Sequence, residues 1–124
     1  MQGYKDKKIA LVGVSSDQSK IGYKIFEDLL ANNFNVVGVN PKNGLILQQH
    51  IYTSLKEIKP LPDLVVTVVK PEITLTIIEQ CHNLGIKQIW MQPGSESNQA
   101  IEKARIYGIE VKYGKCFMSE NGIW

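Results

Sequence analysis

Residues 9–22 read IALVGVSSDQSKIG: an apolar run, a loop of small residues, then the opening of a helix. In an α/β protein that junction suits a phosphate. The helix start offers N–H groups without partners along the chain, together with the positive end of the helix dipole. Three further loops, at 40–44, 70–71 and 92–95, share its polarity. The four are built from Ser, Lys, Asn, Gln, Gly and Pro, with Asp17 in the first and Glu96 just beyond the last as the acids near them. An anionic ligand matches that distribution of charge. Ser15 has no His–acid pair placed to activate it, so it reads as a loop or helix-cap residue and not as a nucleophile.

The type of phosphate ligand can be narrowed. A dinucleotide loop follows GxGxxG, and after Gly13 the second glycine is replaced by Ser15, with Gly22 well downstream. NAD-binding domains often end their second strand on an acid that binds the ribose diol. Here the position holds Asn40, followed by Pro41 and Lys42. A carboxylate would repel a phosphate on the ribose, whereas Asn40 would not and Lys42 would attract it. The pattern therefore points to a nucleotide with a ribose phosphate, and NADP and coenzyme A both qualify.

The elements that must hold these loops follow from hydrophobic patterning. Residues 8–14 form a continuous apolar run, as do 36–39 and 64–69, and 88–91 is a shorter one. Such runs suit parallel strands covered on both faces. Between them lie helical stripes at 21–32, at 71–84 with Ile73, Ile77, Ile78 and Cys81 on one face, and at 98–107. Asn32–Asn33, Gly85 and Gly108 are helix stops, and Pro41 ends the second strand. Asn43–Gly44 is a turn signal. Residues 45–52 are ambiguous, with an edge strand expected around 50–52. Ser54 and Glu57 fit a capping box before a short helix at 55–58, and 109–113 is a last strand. Strand–helix alternation of this kind predicts an α/β doubly wound, mostly parallel, Rossmann-like sheet in three layers, as one domain over 1–124.

Composition removes several classes. The chain has 124 residues, 44% hydrophobic and 21% charged, with a formal charge of +2. That excess is small and spread along the chain, which argues against nucleic acid. Cys81 and Cys116 form no CxxC pair, and His50 and His82 have no metal-like spacing to a partner, so neither a disulfide framework nor a zinc site is expected. The polar start MQGYKDKK holds no secretion signal, and no apolar run reaches the roughly 20 residues of a bilayer span. A soluble cytoplasmic protein is expected. Cys81 and Trp90 read as core or rim packing, and both histidines as surface residues.

Six segments carry a resemblance: VGVSSDQSKIG at 12–22, VGVNPK at 37–42, YTSLKEI at 52–58, PDLVVTVVKP at 62–71, GIKQIWMQPGSESNQA at 85–100 and YGKCFM at 113–118. Together and in this order they resemble the small stand-alone CoA-binding domain proteins. The fold of that family is similar to the nucleotide-binding domain of the succinyl-CoA synthetase α subunit. The resemblance implies that Gly13, Val14 and Ser15 line the pyrophosphate with backbone N–H groups. It places Lys20 near a phosphate and opens the helix at Gly22 beside it. Asn40 and Pro41 would lie along the adenosine. Val69, Lys70 and Pro71 would wall the adenine or pantetheine path, and Gln92 and Gly94 would face the pantetheine end. Two departures stand out. Val14 replaces the smaller residue of the usual G-A-S turn and is expected to narrow the pocket, and the chain ends at Trp124, without a longer C-terminal lid.

The expected function is non-enzymatic binding of CoA or an acyl-CoA by a sensor or accessory module with an unidentified protein partner. A dinucleotide-dependent enzyme and an interaction module that has lost its ligand are the alternatives. Cys116 follows Lys115, whose charge would lower its pKa. A partly buried structural thiol is expected there, with a mixed disulfide to CoA as the rival reading.

Overall fold

Where the apolar runs lie, strands form. The computed structural model describes residues 3–42 and 44–124. Within them, β1 (Lys8–Val12), β2 (Asn35–Val39), β3 (Gly44–Ile46), β4 (Gln49–Tyr52), β5 (Leu64–Thr67), β6 (Gln88–Met91) and β7 (Glu110–Lys112) make one sheet. Its order is β3-β4-β2-β1-β5-β6-β7. All neighbours are parallel except β3 and β4, which form an antiparallel hairpin. The strand order reverses between β1 and β5, and the ligand crevice of such sheets lies at that switch, outside the carboxyl ends.

Helices cover both faces, giving the expected doubly wound α/β fold in three layers. Along β1, Ile9 and Leu11 pack with Ile25, Phe26 and Leu29 of α1 (Ile21–Ala31) and with Phe117 and Met118 of α4 (Phe117–Glu120). Ala10 and Val12 face the other way, toward Ile77, Ile78 and Cys81 of α2 (Pro71–Leu84) and Ala100, Ile101 and Ala104 of α3 (Asn98–Ile106). Alternate residues of one strand thus enter opposite cores, which is why the strand is apolar throughout.

Several local expectations are corrected. The first and fourth predicted strands end two residues early, at Val12 and Thr67, because the chain turns out of the sheet there. Residues 45–52 belong to the β3–β4 hairpin, turned by Leu47 and Gln48, both at positive φ (53° and 64°). The edge strand is therefore β3, and β4 lies inside it. The turn signal at Asn43–Gly44 falls partly on Asn43, outside the described residues.

Ser54 makes no side-chain cap bond; the Glu57 carboxylate instead accepts from the Thr53 N–H and hydroxyl, at 2.9 and 2.8 Å. The turn that follows is 3₁₀, over Leu55–Glu57. On α2 the fourth buried position is Thr74, and Ile73 is 43% exposed. Helix α3 is capped by Ser97, whose side chain accepts from the Ala100 N–H at 3.0 Å.

Candidate functional site

At the carboxyl edge of the sheet a row of hydrogen bonds fixes the start of each loop. The residue after each strand donates its N–H to the last carbonyl of the neighbouring strand: Asn40 to Tyr52 (2.9 Å), Gly13 to Val39 (3.0 Å), Val68 to Val12 (2.8 Å) and Gln92 to Thr67 (3.0 Å). The four loops therefore leave the sheet from a common line. They also begin with their first N–H already used, so Gly13 has no N–H left for a phosphate.

The need for glycine at 13 is steric. Its φ is +110°, and a side chain there would run into the Val68 carbonyl and the Val69 Cγ1. At Gly22 a side chain would meet the Gly13 carbonyl, so the first turn of α1 lies directly against the loop's start. These two positions set how closely β1, α1 and the β5 loop approach one another.

Between them the loop is held by its own side chains. The Ser15 hydroxyl accepts from the Asp17 N–H at 3.0 Å. Asp17 in turn accepts from the Ser19 N–H (3.0 Å) and hydroxyl (2.7 Å). Those bonds from Ser19, aided by the nearby Lys20 charge, hold the exposed Asp17 carboxyl below its ordinary value. Ser15 is thus a turn residue, and Lys20 occupies the N-cap of α1 without a side-chain cap bond. At this helix start the Lys20 N–H donates to the Asp17 carbonyl (3.0 Å) and the Tyr23 N–H to the Lys20 carbonyl (3.2 Å), which leaves the Ile21 and Gly22 N–H groups without a partner among the described residues. Lys20 itself is exposed.

Val14 differs from expectation. Its side chain is fully buried among Ile25, Phe26 and Ile51, beneath the loop, and so does not narrow the cleft. Asn40 is half-buried and both ends of its amide are engaged: Nδ2 donates to the Val14 carbonyl at 2.7 Å, and Oδ1 accepts from the Lys42 N–H at 2.8 Å. Pro41 and Lys42 are exposed beside it.

Two clefts open at this edge, one toward β2 and the hairpin, the other toward β5 and β6. The first, of about 410 Å³, is lined by Ser15, Ser16, Asn40 and Lys42 together with the hairpin residues Leu45 and Ile46. The second, of about 380 Å³, is lined by Ile21, Val68, Val69, Pro71, Pro93 and Gly94, with Lys70 and Ser95 completing it. The structure thus gathers Val69, Lys70, Pro71 and Gly94 into one cleft and Ser15, Asn40 and Lys42 into the other. Sequence reasoning did not single out Ile21, Ser16 or the hairpin. Ile21 was legible as the first residue of an amphipathic stripe that overruns the sheet.

Gln92 lies behind the second cleft and not on its surface. It is 5% exposed, its Oε1 accepts from the Phe117 N–H at 2.6 Å, and its Nε2 reaches the Cys116 sulfur at 3.4 Å. It ties the C-terminal segment to the loop after β6, as does Trp90, whose Nε1 donates to the Lys115 carbonyl at 2.9 Å. Burial pushes the Cys116 thiol up, but the bonds from Gln92 and from the Ser119 and Met118 N–H groups outweigh it and the net direction is down. Lys115 is not the cause. It is exposed and lies 3.8 Å from the Glu120 carboxylate. Cys81, in the core, has its thiol pushed up to about 12 by burial. Both histidines are exposed, His82 stacked on the Tyr107 ring with centroids 3.7 Å apart. Among the described residues no helix is long and apolar enough to cross a membrane.

Comparison with known proteins agrees with this architecture. Residues 7–122 match the family model described as a CoA binding domain. An ADP-forming acetate–CoA ligase from Methanocaldococcus jannaschii is 31% identical over 81 residues, covering 65% of this chain and 12% of that protein. The alpha subunit of ADP-forming acetate–CoA ligase I from Pyrococcus furiosus is 28% identical, covering 87% of this chain and 27% of the subunit. The chain thus spans about an eighth to a quarter of these relatives' length. Among solved structures, a conserved hypothetical protein from Pyrococcus furiosus superposes with a TM-score of 0.88 at 37% identity, covering 92% of this chain and 98% of that one.

Proposed function

Since this chain belongs to the CoA binding domain family, we propose that it binds coenzyme A or an acyl-CoA across the two clefts, without catalysing a reaction on it. The observation that supports this reading is the division of the site's chemistry. Ser15, Ser16, Asn40 and Lys42 line one cleft, while Ile21, Val68, Val69, Pro71 and Pro93 dominate the other. A phosphorylated nucleoside joined to an uncharged pantetheine arm divides in the same way. The loop between the clefts carries the uncapped start of α1, where a pyrophosphate is favoured.

In this reading the Ile21 and Gly22 N–H groups at the start of α1 and those of Val14 and Ser15 take the pyrophosphate, and Lys20 approaches it. Lys42 meets the ribose phosphate, with Asn40 and Pro41 along the adenosine. Val69, Lys70, Pro71 and Gly94 flank the pantetheine arm. Gly13 and Gln92 shape the site from behind. The described residues lining the clefts include no His, Cys, Asp or Glu to move a proton. A sensor or accessory module suits that inventory better than an enzyme.

The test is thermal unfolding with CoA, dephospho-CoA, NAD and NADP side by side. A ligand at about 100 times its Kd adds roughly 2.7 kcal/mol of stability. Stabilisation by CoA above that by NADP is expected. A clear shift with NADP and none with any CoA species would overturn the reading in favour of a dinucleotide-binding enzyme.

A further inference from the structure

We infer that the outer edge of β7 pairs with the same edge of a second copy of this chain, in antiparallel register about Val111. β7 (Glu110–Lys112) ends the sheet, with β6 on one side and no strand on the other among the described residues. The Glu110 N–H donates inward, to the Lys87 carbonyl at 2.8 Å. Successive residues of a strand turn their backbone groups to opposite sides. Those of Glu110 and Lys112 are therefore spent on β6, and the Val111 N–H and carbonyl face outward. A two-fold axis through Val111 lets two copies exchange both of these bonds, pairing groups that an open edge leaves to water.

Charge selects this register. Glu110 and Lys112 stand on the face that carries Trp90. Lys112 lies over the Trp90 and Tyr4 rings, 5.5 and 5.9 Å from their centroids, and Glu110 accepts a long bond from Gln88 Nε2 at 3.4 Å. Both are exposed, and neither has an ion-pair partner among the described residues. In the two-fold register Glu110 of each copy stands opposite Lys112 of the other, at the close pairs where Cα atoms approach to about 4.5 Å. A slip of two residues either way would set Lys112 against Lys112 or Glu110 against Glu110. Charged edges usually repel another strand; here the alternation of sign makes the edge complementary to itself.

Helix α3 lies beside this edge. It packs on the sheet through Ala100, Ile101 and Ala104 and sends Lys103 to Glu79 of α2 at 2.7 Å. Its other flank, Asn98, Glu102 and Arg105, is exposed and lies toward β7, where Arg105 Nη2 donates to the Tyr113 hydroxyl at 3.4 Å. The same axis brings two such flanks of mixed charge side by side and antiparallel. The carboxyl edges of the two sheets then point in opposite directions, so the clefts of both copies stay open and the pairing does not rest on the CoA reading.

Sedimentation equilibrium of the full chain, at concentrations up to about 0.3 mM, tests this. A reversible monomer–dimer equilibrium is expected, as suits a small polar interface. Glu110→Lys and Lys112→Glu each set like charges opposite one another at two symmetric pairs and should weaken dimerisation about tenfold or more. An equimolar mixture of the two variants should form a heterodimer as tight as the wild-type dimer, because both cross-strand pairs are again of opposite sign. That rescue also shows that both variants fold. A chain that stays monomeric, a dimer that both reversals leave intact, or reversals that the mixture does not rescue would overturn the inference.

Discussion

Asn40 Nδ2 donates to the Val14 carbonyl at 2.7 Å, joining the loop after β2 to the loop after β1 across the polar cleft. The same amide accepts from the Lys42 N–H at 2.8 Å, so one side chain sets both cleft walls and the lysine between them. Asn40→Asp keeps the acceptor toward Lys42 but removes the donor and sets a negative charge against the Val14 carbonyl. A loss of about 1–2 kcal/mol in unfolding free energy is expected, measured by urea titration. CoA should weaken more than dephospho-CoA, because the new carboxylate stands beside Lys42 and repels a phosphate on the ribose. Equal losses for the two ligands would place the ribose phosphate away from residue 40.

Gly13→Ala meets two obstacles at once. Its φ of +110° disfavours any L side chain, and the new methyl would strike the carbonyl of Val68, a residue whose N–H is held by the Val12 carbonyl at 2.8 Å. A cost of about 3 kcal/mol or more is expected, seen as a lower urea midpoint. Gly22→Ala keeps a helical backbone and gains helix propensity, yet its methyl would strike the Gly13 carbonyl. It should destabilise less than Gly13→Ala. The reverse order would mean that the loop, and not the β1–β5 approach, is the rigid part.

How far the sequence carried depended on the kind of signal. The apolar runs around Leu11, Val37, Val65 and Ile89 specified parallel strands, because two-sided burial leaves no room for polar alternation. Gly13, Asn40 and Lys70 could be placed at the carboxyl edge of the sheet for the same reason: each follows such a run. What was hidden depends on contacts far apart in the chain. Nothing near Gln92 shows that its amide is spent on Phe117, 25 residues on. Val14 looked like an obstruction because its neighbours in sequence line the loop, while its side chain turns under it into the core. The hairpin turn at Leu47–Gln48 lacks the Gly or Asn that normally marks paired positive φ, so its signal was absent.

Lys20 and Lys42 are both exposed but occupy different places, the N-cap of α1 and the wall of the polar cleft. Lys42→Ala should weaken CoA about tenfold and leave dephospho-CoA nearly unchanged, since the two ligands differ only in the ribose phosphate. Lys20→Ala should weaken both by a similar factor. Because the charges are exposed, both effects should shrink as salt is raised from 0.05 to about 0.5 M. Competition titrations at the two salt concentrations separate these patterns. Equal losses for both ligands in both variants would place the two amines on the same phosphate.

The two thiols should differ sharply in reactivity. Only the thiolate is nucleophilic. Burial pushes Cys81 up to about 12, so it carries almost no thiolate below pH 9. Cys116 is half-exposed, and hydrogen bonds from Gln92, Ser119 and Met118 carry its thiol below the ordinary value against the opposing effect of burial. Iodoacetamide should therefore add one carbamidomethyl group per folded chain, at Cys116, with a rate that rises through a midpoint below that of a free cysteine. The direction follows from the acid equilibrium: stabilising the thiolate moves its formation to lower pH. Gln92→Leu removes the first of those bonds and should move the midpoint upward. Two modified sites at the same rate, or no change in midpoint with Gln92→Leu, would show that the Gln92 contact does not control the thiol. A mass increase matching CoA after incubation with CoA disulfide would further place Cys116 within reach of the ligand's thiol.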